Sequence, residues 1–394
     1  MQTIRVLQVL SNFGIGGAET WLISLLRYFK DHAAALECEV RTDVFLTHGF
    51  RDNLDDEAAA LGARLIYSRY SRKTLPSFIR TWRETLASGN YDAIHDHQEF
   101  TAGWHFLFGL GQLPSVRIAH LHNAMSHQVS YSKSGLRSKT IEAGNWLVAK
   151  NATHLLSTSR QLITDQGFDD LHAARHLSKM AAYCGFDPAR FTLDPVESRA
   201  KLSAEFALPH KAKVLLFVGR LDSNMDESRN AKNPTFCLEV ALECAQRDPD
   251  FACLLAGGGE SMRTRLQERV RSWDMENRIL LIGPRPDVPM LRAGADLLLC
   301  PSLAEGLGMV AVEAQAAGLP VIASDAVPAE CRVIDGMVDF LPLAAGAEAW
   351  ASKVMERLQQ PKPDARAANQ VVSASPFSID NSAKRLLHIY RGEL

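Results

Sequence analysis

Short runs rich in Val, Ile and Leu recur along the chain, separated by longer stretches in which apolar residues return every three or four positions. The runs fall at residues 6–10, 40–46, 63–67, 93–96, 117–121 and 154–157, and again at 214–218, 252–256, 279–282, 297–300, 321–323 and 338–341. They do not alternate apolar with polar positions, so each predicts a strand covered on both faces, as in a parallel sheet. The stretches between them, including 19–29, 78–87, 234–246, 262–273, 310–317 and 347–358, predict helices. Asn233 before Pro234 reads as a capping side chain followed by proline at the first helical position. Strand and helix in alternation mean βαβ units and a doubly wound α/β fold. Two series of about six strands predict two Rossmann-like domains. Prolines and the polar Pro209-His210-Lys211 place the break within 184–213. Ile379, Ala383, Leu386, Leu387 and Tyr390, at helical spacing, predict a last helix within 376–394.

Composition narrows the class. The chain has 394 residues, enough for two or three domains that each bury a core. A formal net charge of −2 argues against nucleic acid as a partner, because phosphate backbones require a basic excess. The N-terminal Met1-Gln2-Thr3-Ile4-Arg5-Val6 lacks the layout of a signal peptide and reads as a first strand. No apolar run approaches the roughly 20 residues that span a bilayer. The expected location is the cytoplasm, with peripheral contact to the inner membrane face as a further expectation. Seven cysteines contain no Cys-x-x-Cys pair, and their apolar surroundings predict reduced, buried thiols.

Four segments could carry chemistry. Gly14-Ile15-Gly16-Gly17-Ala18-Glu19 follows the first strand and precedes a helix, so its backbone could approach an anionic ligand, or simply turn tightly. It is not a full G-x-G-x-x-G, which weakens an NAD-dependent oxidoreductase, the alternative reading of paired Rossmann-like domains. Phe217-Val218-Gly219-Arg220-Leu221, followed by Lys232-Asn233-Pro234, puts two cations beyond a strand's carboxyl end. There they could neutralise a diphosphate or form surface salt bridges. Ala256-Gly257-Gly258-Gly259-Glu260 is a third strand end, with a glycine-rich turn as the plain alternative. In the fourth, Glu305-Gly306-Leu307-Gly308-Met309 leads from a strand into a helix that carries Glu313. Its glycines expose N–H groups at a helix start, and Glu305 could accept from sugar hydroxyls. Glu313, on an otherwise apolar helix, needs a partner, either a ribose diol or a salt bridge to a neighbouring helix.

His95, His97, His120 and His122 lie near two predicted strand ends. His95 and His97 share a strand face and could ligate zinc, but spacing supplies no third or fourth ligand, so they read as polar lining. Residues 69–83 hold Arg69, Arg72, Lys73, Arg80 and Arg83, interleaved with Phe78, Ile79 and Trp82. Residues 126–140 add Lys133, Arg137 and Lys139. A basic helix with an apolar face could lie on an anionic membrane, or be an ordinary solvated helix.

The ordered set G-G-A-E, G-R-L…K-N and E-G-L-G-M…E-A-Q-A-A-G-L-P-V-I-A-S resembles glycosyltransferase family 4, the large retaining family of the GT-B fold. Cys184-Gly185-Phe186-Asp187…Arg190-Phe191 and Arg285-Pro286-Asp287-Val288-Pro289 resemble further family elements, and the likeness is greatest to the exopolysaccharide-biosynthesis group. The resemblance implies two Rossmann-like domains facing a cleft, 1–190 plus 376–394 on the acceptor side and 191–375 binding the nucleotide-sugar. It implies that Arg220 and Lys232 hold the donor diphosphate, that Gly306, Leu307, Gly308 and Met309 bind phosphate and sugar through their backbone, and that Glu305 meets the sugar. Glu313 would meet the ribose, Gly283 and Arg285 would face the base, Gly16 and Gly17 would line the cleft, and His122 would reach the donor sugar. No catalytic metal or other cofactor is implied. The expected reaction moves a hexose-type sugar from a UDP-sugar, or next a GDP-sugar, to a glycan or polyprenyl-diphosphate-linked acceptor for cell-surface polysaccharide. Departures are the insertion at 223–229 between Arg220 and Lys232, Cys184 in place of the family's asparagine, and Gly308-Met309 in place of the subgroup's proline.

Overall fold

The computed structural model describes residues 2–14, 16–124, 135–209, 211–221 and 230–394. The insertion at 223–229, and Lys133 in the second basic segment, lie outside the described residues. The chain forms two compact units, Met1–Phe186 with Pro376–Leu394, and Asp187–Ser375.

The first unit holds β1 (Gln2–Leu10), β2 (Cys38–Leu46), β3 (Arg64–Tyr67), β4 (Ala93–Asp96), β5 (Val116–Leu121), β6 (His154–Ser157) and β7 (Ser178–Ala181). They form one parallel sheet in the order β3-β2-β1-β4-β5-β6-β7. The second unit holds β8 (Lys213–Val218), β9 (Phe251–Ala256), β10 (Ile279–Gly283), β11 (Leu297–Cys300), β12 (Val321–Ser324) and β13 (Val338–Leu341), parallel in the order β10-β9-β8-β11-β12-β13. Both units are Rossmann-like. In each, strand order reverses beside the first strand, between β1 and β4 and between β8 and β11, the switch point where open α/β sheets bind ligands.

β7 corresponds to no apolar run. All four of its residues are half-buried at the sheet edge, where Ser178 and Lys179 suffice. The helix Pro234–Arg247 begins where Pro234 predicts, but Asn233 does not cap it. Asn233 is left-handed, φ 53°, and its side chain makes no cap bond. A capping residue needs an extended backbone to aim its oxygen at the first turn.

The apolar side of the basic helix Leu75–Gly89 is spent inside the first unit. Phe78, Trp82 and Leu86 join Phe45 and Phe106 in the core, and the Trp82 indole donates to the His105 carbonyl at 2.9 Å. Burying each such side chain is worth roughly 2–3 kcal/mol, so turning them toward a lipid would dismantle this core. Arg72, Lys73 and Arg80 remain exposed, without the apolar face expected beside them. No helix among the described residues is long and apolar enough to cross a membrane. All seven cysteines are buried free thiols.

The helix Ile379–Tyr390 packs within the first unit. The Ser378 hydroxyl accepts from the Asn381 N–H at 3.3 Å, Asp380 bonds the Tyr28 hydroxyl, and Leu386, Leu387, Ile389 and Tyr390 are buried.

Candidate functional site

In the second unit the site grows from two neighbouring strand ends. β8 and β11 pair through Leu215 and Leu297, so the loops that leave them are adjacent, and Leu303 N–H donates to the Ala231 carbonyl at 2.7 Å. Lys232 Nζ donates to Glu305 Oε1 at 2.6 Å. The Ser302 hydroxyl donates to the same oxygen at 2.7 Å, and Ser324 holds the Ser302 carbonyl at 2.5 Å. From the other side, Asn230 Oδ1 accepts from the Lys232 backbone N–H at 3.0 Å. The pair is sheltered, with side-chain exposures of 27% for Lys232 and 10% for Glu305. Burial works against the Lys232 ammonium, but Glu305 and Cys300 more than offset it, and its pKa is raised. Lys232 is therefore a fixed cation. Arg220 is exposed and acts on Lys232 as a like charge, which puts two cations within reach of one anion.

Glycine is required around this edge. Gly308 has φ +85°, immediately before the helix Met309–Ala316, and a Cβ there would sit 2.7 Å from Val327 Cγ1. With Gly306 half-buried and Leu307 packed inward, the backbone of 306–309 leads into the first turn of that helix. The Gly257-Gly258-Gly259 turn is a close approach. A Cβ on Gly257 would lie 1.8 Å from the Gly219 carbonyl oxygen, and one on Gly259 1.0 Å from that of Leu221. These glycines let the loops after β8 and β9 pass side by side.

Two expected donor residues have protein partners. Glu313 forms an ion pair with Arg292, which is buried, while the Glu313 side chain is 26% exposed. The expectation from unpaired burial thus meets its alternative, a salt bridge to a neighbouring helix. Arg285 is held by Asp287 and Glu205, and those two carboxylates raise its pKa. Gly283, φ +73°, ends β10 at an irregularity in its pairing with β9.

In the first unit, Gly16 precedes the helix Gly17–His32, and a Cβ on Gly17 would meet nothing within 4 Å. His95 and His97, at the end of β4, face His120 and His122, at the end of β5. His95 Nε2 lies 2.9 Å from His120 Nδ1, and His97 Nδ1 lies 2.9 Å from His122 Nε2. Gln8 Oε1 bonds His97 Nε2 at 2.8 Å, and the Tyr390 hydroxyl bonds His95 Nδ1 at 2.8 Å. Trp21 stands edge-on to all four rings, with centroids 5.4 to 6.3 Å away. Burial holds His95, His97 and His120 well below the ordinary imidazole range and His122 at about 4. The cluster is neutral at physiological pH.

His120 is the third potential ligand that spacing alone did not supply. Among the described residues, His95, His97 and His120 are the group able to hold a metal ion, their ligand atoms lying within 4.8 Å of one another. A metal there would compete with the hydrogen bonds these rings make to Gln8, Tyr390 and one another. Gln8, Tyr390, Ser302 and Arg292 were not anticipated. A glutamine inside the apolar run Val6-Leu7-Gln8-Val9-Leu10 is the signal for Gln8, because a buried amide demands partners. Arg292 carries no such signal.

Known proteins match both units. Residues 212–360 match the family described as Glycosyl transferases group 1, and residues 15–165 match Glycosyltransferase Family 4. The chain is 26% identical over 410 residues to EpsF of Bacillus subtilis (strain 168), itself named only as a candidate glycosyltransferase, covering 98% of this chain and 96% of that one. It is 28% identical over 348 residues to the D-inositol 3-phosphate glycosyltransferase of Corynebacterium urealyticum, covering 82% of this chain and 78% of that one. Anabaena Alr3699/HepE, solved in complex with UDP, aligns over 100% of both chains with a TM-score of 0.76 and 17% identity, and is also known in complex with UDP-glucose. Two family matches, one in each Rossmann-like unit, settle what the strand ends alone leave open: the chain belongs to the family 4 glycosyltransferases and has the GT-B fold.

Proposed function

We propose that this enzyme transfers a hexose-type sugar, with retention of anomeric configuration, from a UDP-sugar to a glycan or lipid-linked acceptor in cell-surface polysaccharide synthesis. The observation that carries the reading is the sheltered Lys232–Glu305 pair at the β8/β11 switch point, with Arg220 beside it. A donor diphosphate takes the place of Glu305 as partner of Lys232, and Arg220 shares its charge. Glu305, steadied by Ser302, turns its carboxylate to the sugar hydroxyls. The backbone of 306–309 and the helix start behind it receive a phosphate oxygen. As the bond from the sugar to the diphosphate breaks, these cations and dipoles stabilise the negative charge that develops on the leaving group. The acceptor hydroxyl oxygen bonds the sugar on the face the diphosphate leaves, and its proton passes to the departing phosphate oxygen. His122 serves the transferred sugar, Glu313 the ribose with the oxygen that Arg292 does not hold, and Gly283 the base. Gly16 and Gly17 admit the donor by the space above Gly17.

The choice of UDP is supported by HepE, a structural neighbour seen with UDP and UDP-glucose. The polysaccharide role is supported by the likeness to EpsF over nearly the whole chain. Contact with an anionic membrane rests on the charge of the exposed Arg69, Arg72, Lys73, Arg80 and Lys139.

A thermal-shift series with UDP, GDP, ADP, their glucose conjugates and NAD tests the donor. A ligand at a hundred times its dissociation constant adds about 2.7 kcal/mol of stability. UDP and UDP-glucose should give the largest shift. A shift with NAD alone, or with no nucleotide, would sink the reading. Proton NMR of the first-formed product with an α-linked donor should show an α-linkage, and a β-linkage would overturn retention.

A further inference from the structure

Gln8 stands where two chains of hydrogen bonds meet. Its Nε2 donates to the Tyr390 hydroxyl at 3.0 Å, and its Oε1 lies 2.8 Å from His97 Nε2. An amide oxygen only accepts, so His97 carries its proton on Nε2 and offers a lone pair at Nδ1. His122 Nε2, 2.9 Å from that lone pair, must then be the donor. Both rings are neutral, because burial depresses their basicity. A neutral imidazole has one N–H, so Nδ1 of His122 is an acceptor, and among the described residues no hydrogen bond engages it. The His122 ring is half-buried, so a ligand can reach it.

The second chain decides which way the amide stands. The Tyr390 hydroxyl receives the Gln8 N–H, so its own proton goes to His95 Nδ1, 2.8 Å away. His95 then donates from Nε2 to His120 Nδ1 at 2.9 Å, and His120 ends the chain with an Nε2–H. No bond of strict geometry closes on His120 Nε2, yet the Ala182 backbone acts on this ring as an acceptor does, raising its pKa against burial and the neighbouring imidazoles. Turning the amide over reverses every bond and leaves a buried lone pair at His120 Nε2 facing another acceptor. An orphaned buried polar group costs about 1–3 kcal/mol, enough to choose the first arrangement.

We propose that Gln8, acting through His97, holds His122 in its Nε2–H tautomer, so that His122 Nδ1 accepts a hydrogen bond from a hydroxyl of the donor sugar. Gln8 and His97 are positioning residues, and Tyr390 keeps the amide from turning. The inference rests on the reading above that His122 meets the transferred sugar. Its consequence is selection by hydroxyl: a donor with hydrogen in place of that hydroxyl has nothing to give Nδ1.

The test is long-range proton–nitrogen NMR of the full chain, with its histidines labelled with nitrogen-15, near neutral pH. His122 is assigned by the signal lost in His122→Asn. The expected result is a protonated Nε2 and an unprotonated Nδ1; a protonated Nδ1 overturns the proposal whatever the activity. Gln8→Leu, which suits an apolar strand, should mix the two tautomers and lower kcat/KM with UDP-glucose about tenfold. A single Nε2–H tautomer in Gln8→Leu overturns the positioning role. Tyr390→Phe removes only the hydroxyl and provides the same readout if Gln8→Leu does not fold. Normal turnover in His122→Asn beside the expected tautomer contradicts the sugar contact and leaves the relay standing, so the two failures are distinguishable.

Discussion

The two units place different chemistry at the carboxyl ends of their strands. Beyond β4 and β5 the first unit gathers neutral imidazoles, an amide and a phenol, each bonded to the next. Beyond β8 and β11 the second unit gathers charges, with Lys232 against Glu305, Arg220 nearby, and Glu313, in the helix after β11, against Arg292 from the helix before it. Strand ends of one fold are thus specialised in two ways. Charges opposite a leaving diphosphate stabilise it directly. A neutral network instead fixes which atom donates and which accepts, and so suits recognition of uncharged hydroxyls.

Acid should separate the two most strongly. The four imidazoles are neutral when folded, with pKa values below 6.5, so the unfolded chain binds more protons and stability rises with pH. It is fully present above the ordinary imidazole range and falls as pH drops toward about 4, the value held by His122. Chemical denaturation followed by tryptophan fluorescence should show a loss of more than about 2 kcal/mol between about pH 7 and about pH 5. A flat response would mean that the rings are charged or exposed.

On the charged side, Glu305→Ala and Lys232→Ala should each cut turnover with UDP-glucose at least about tenfold, roughly 1.4 kcal/mol of barrier. Lys232→Ala also leaves Glu305 without its cation, at a cost of roughly 2 kcal/mol in denaturant melts. Near-normal rates in both variants would remove the charges from the reaction.

Gly308→Ala sharpens the role of the loop between them. A left-handed alanine pressed against Val327 should cost about 1–2 kcal/mol. Calorimetry showing no loss would mean that this turn relaxes freely. The smallest effect belongs to Asn233→Gly. With a left-handed backbone and no cap bond to lose, it should change stability by no more than about 0.5 kcal/mol. A loss above about 1 kcal/mol would restore the capping role that the sequence suggests.

Much of this architecture is legible in the order of residues, because parallel strands covered on both faces are rich in apolar residues and do not alternate them with polar ones. β4, β6, β11 and β13 can be read with their bounds. β7 is not legible, since an edge strand of Ser178-Lys179-Met180-Ala181 carries no such run. Arg220, Lys232 and Glu305 can be found because strand ends and glycines mark them. Their pairing cannot, because Lys232 and Glu305 are joined by strand order across 73 positions. The Gln8–Tyr390 bond spans 382 positions and depends on where the last helix packs. Glu313 shows the limit of arguing from a buried charge: its need for a partner is visible, but the partner, Arg292, comes from another helix. The basic helix of residues 75–89 shows the same limit, since an apolar face that could meet lipid is already in a core.

In the proposed reaction the charged strand ends of the second unit hold the donor, with Lys232 on its diphosphate and Glu305 on its sugar. Calorimetric titration of Lys232→Met and Glu305→Gln with UDP and with UDP-glucose tests it directly. Lys232→Met should weaken both ligands about tenfold or more, while Glu305→Gln should weaken UDP-glucose and leave UDP bound at least as tightly as in the wild type. Equal losses for both ligands in Glu305→Gln, or wild-type binding in Lys232→Met, would contradict that division of labour.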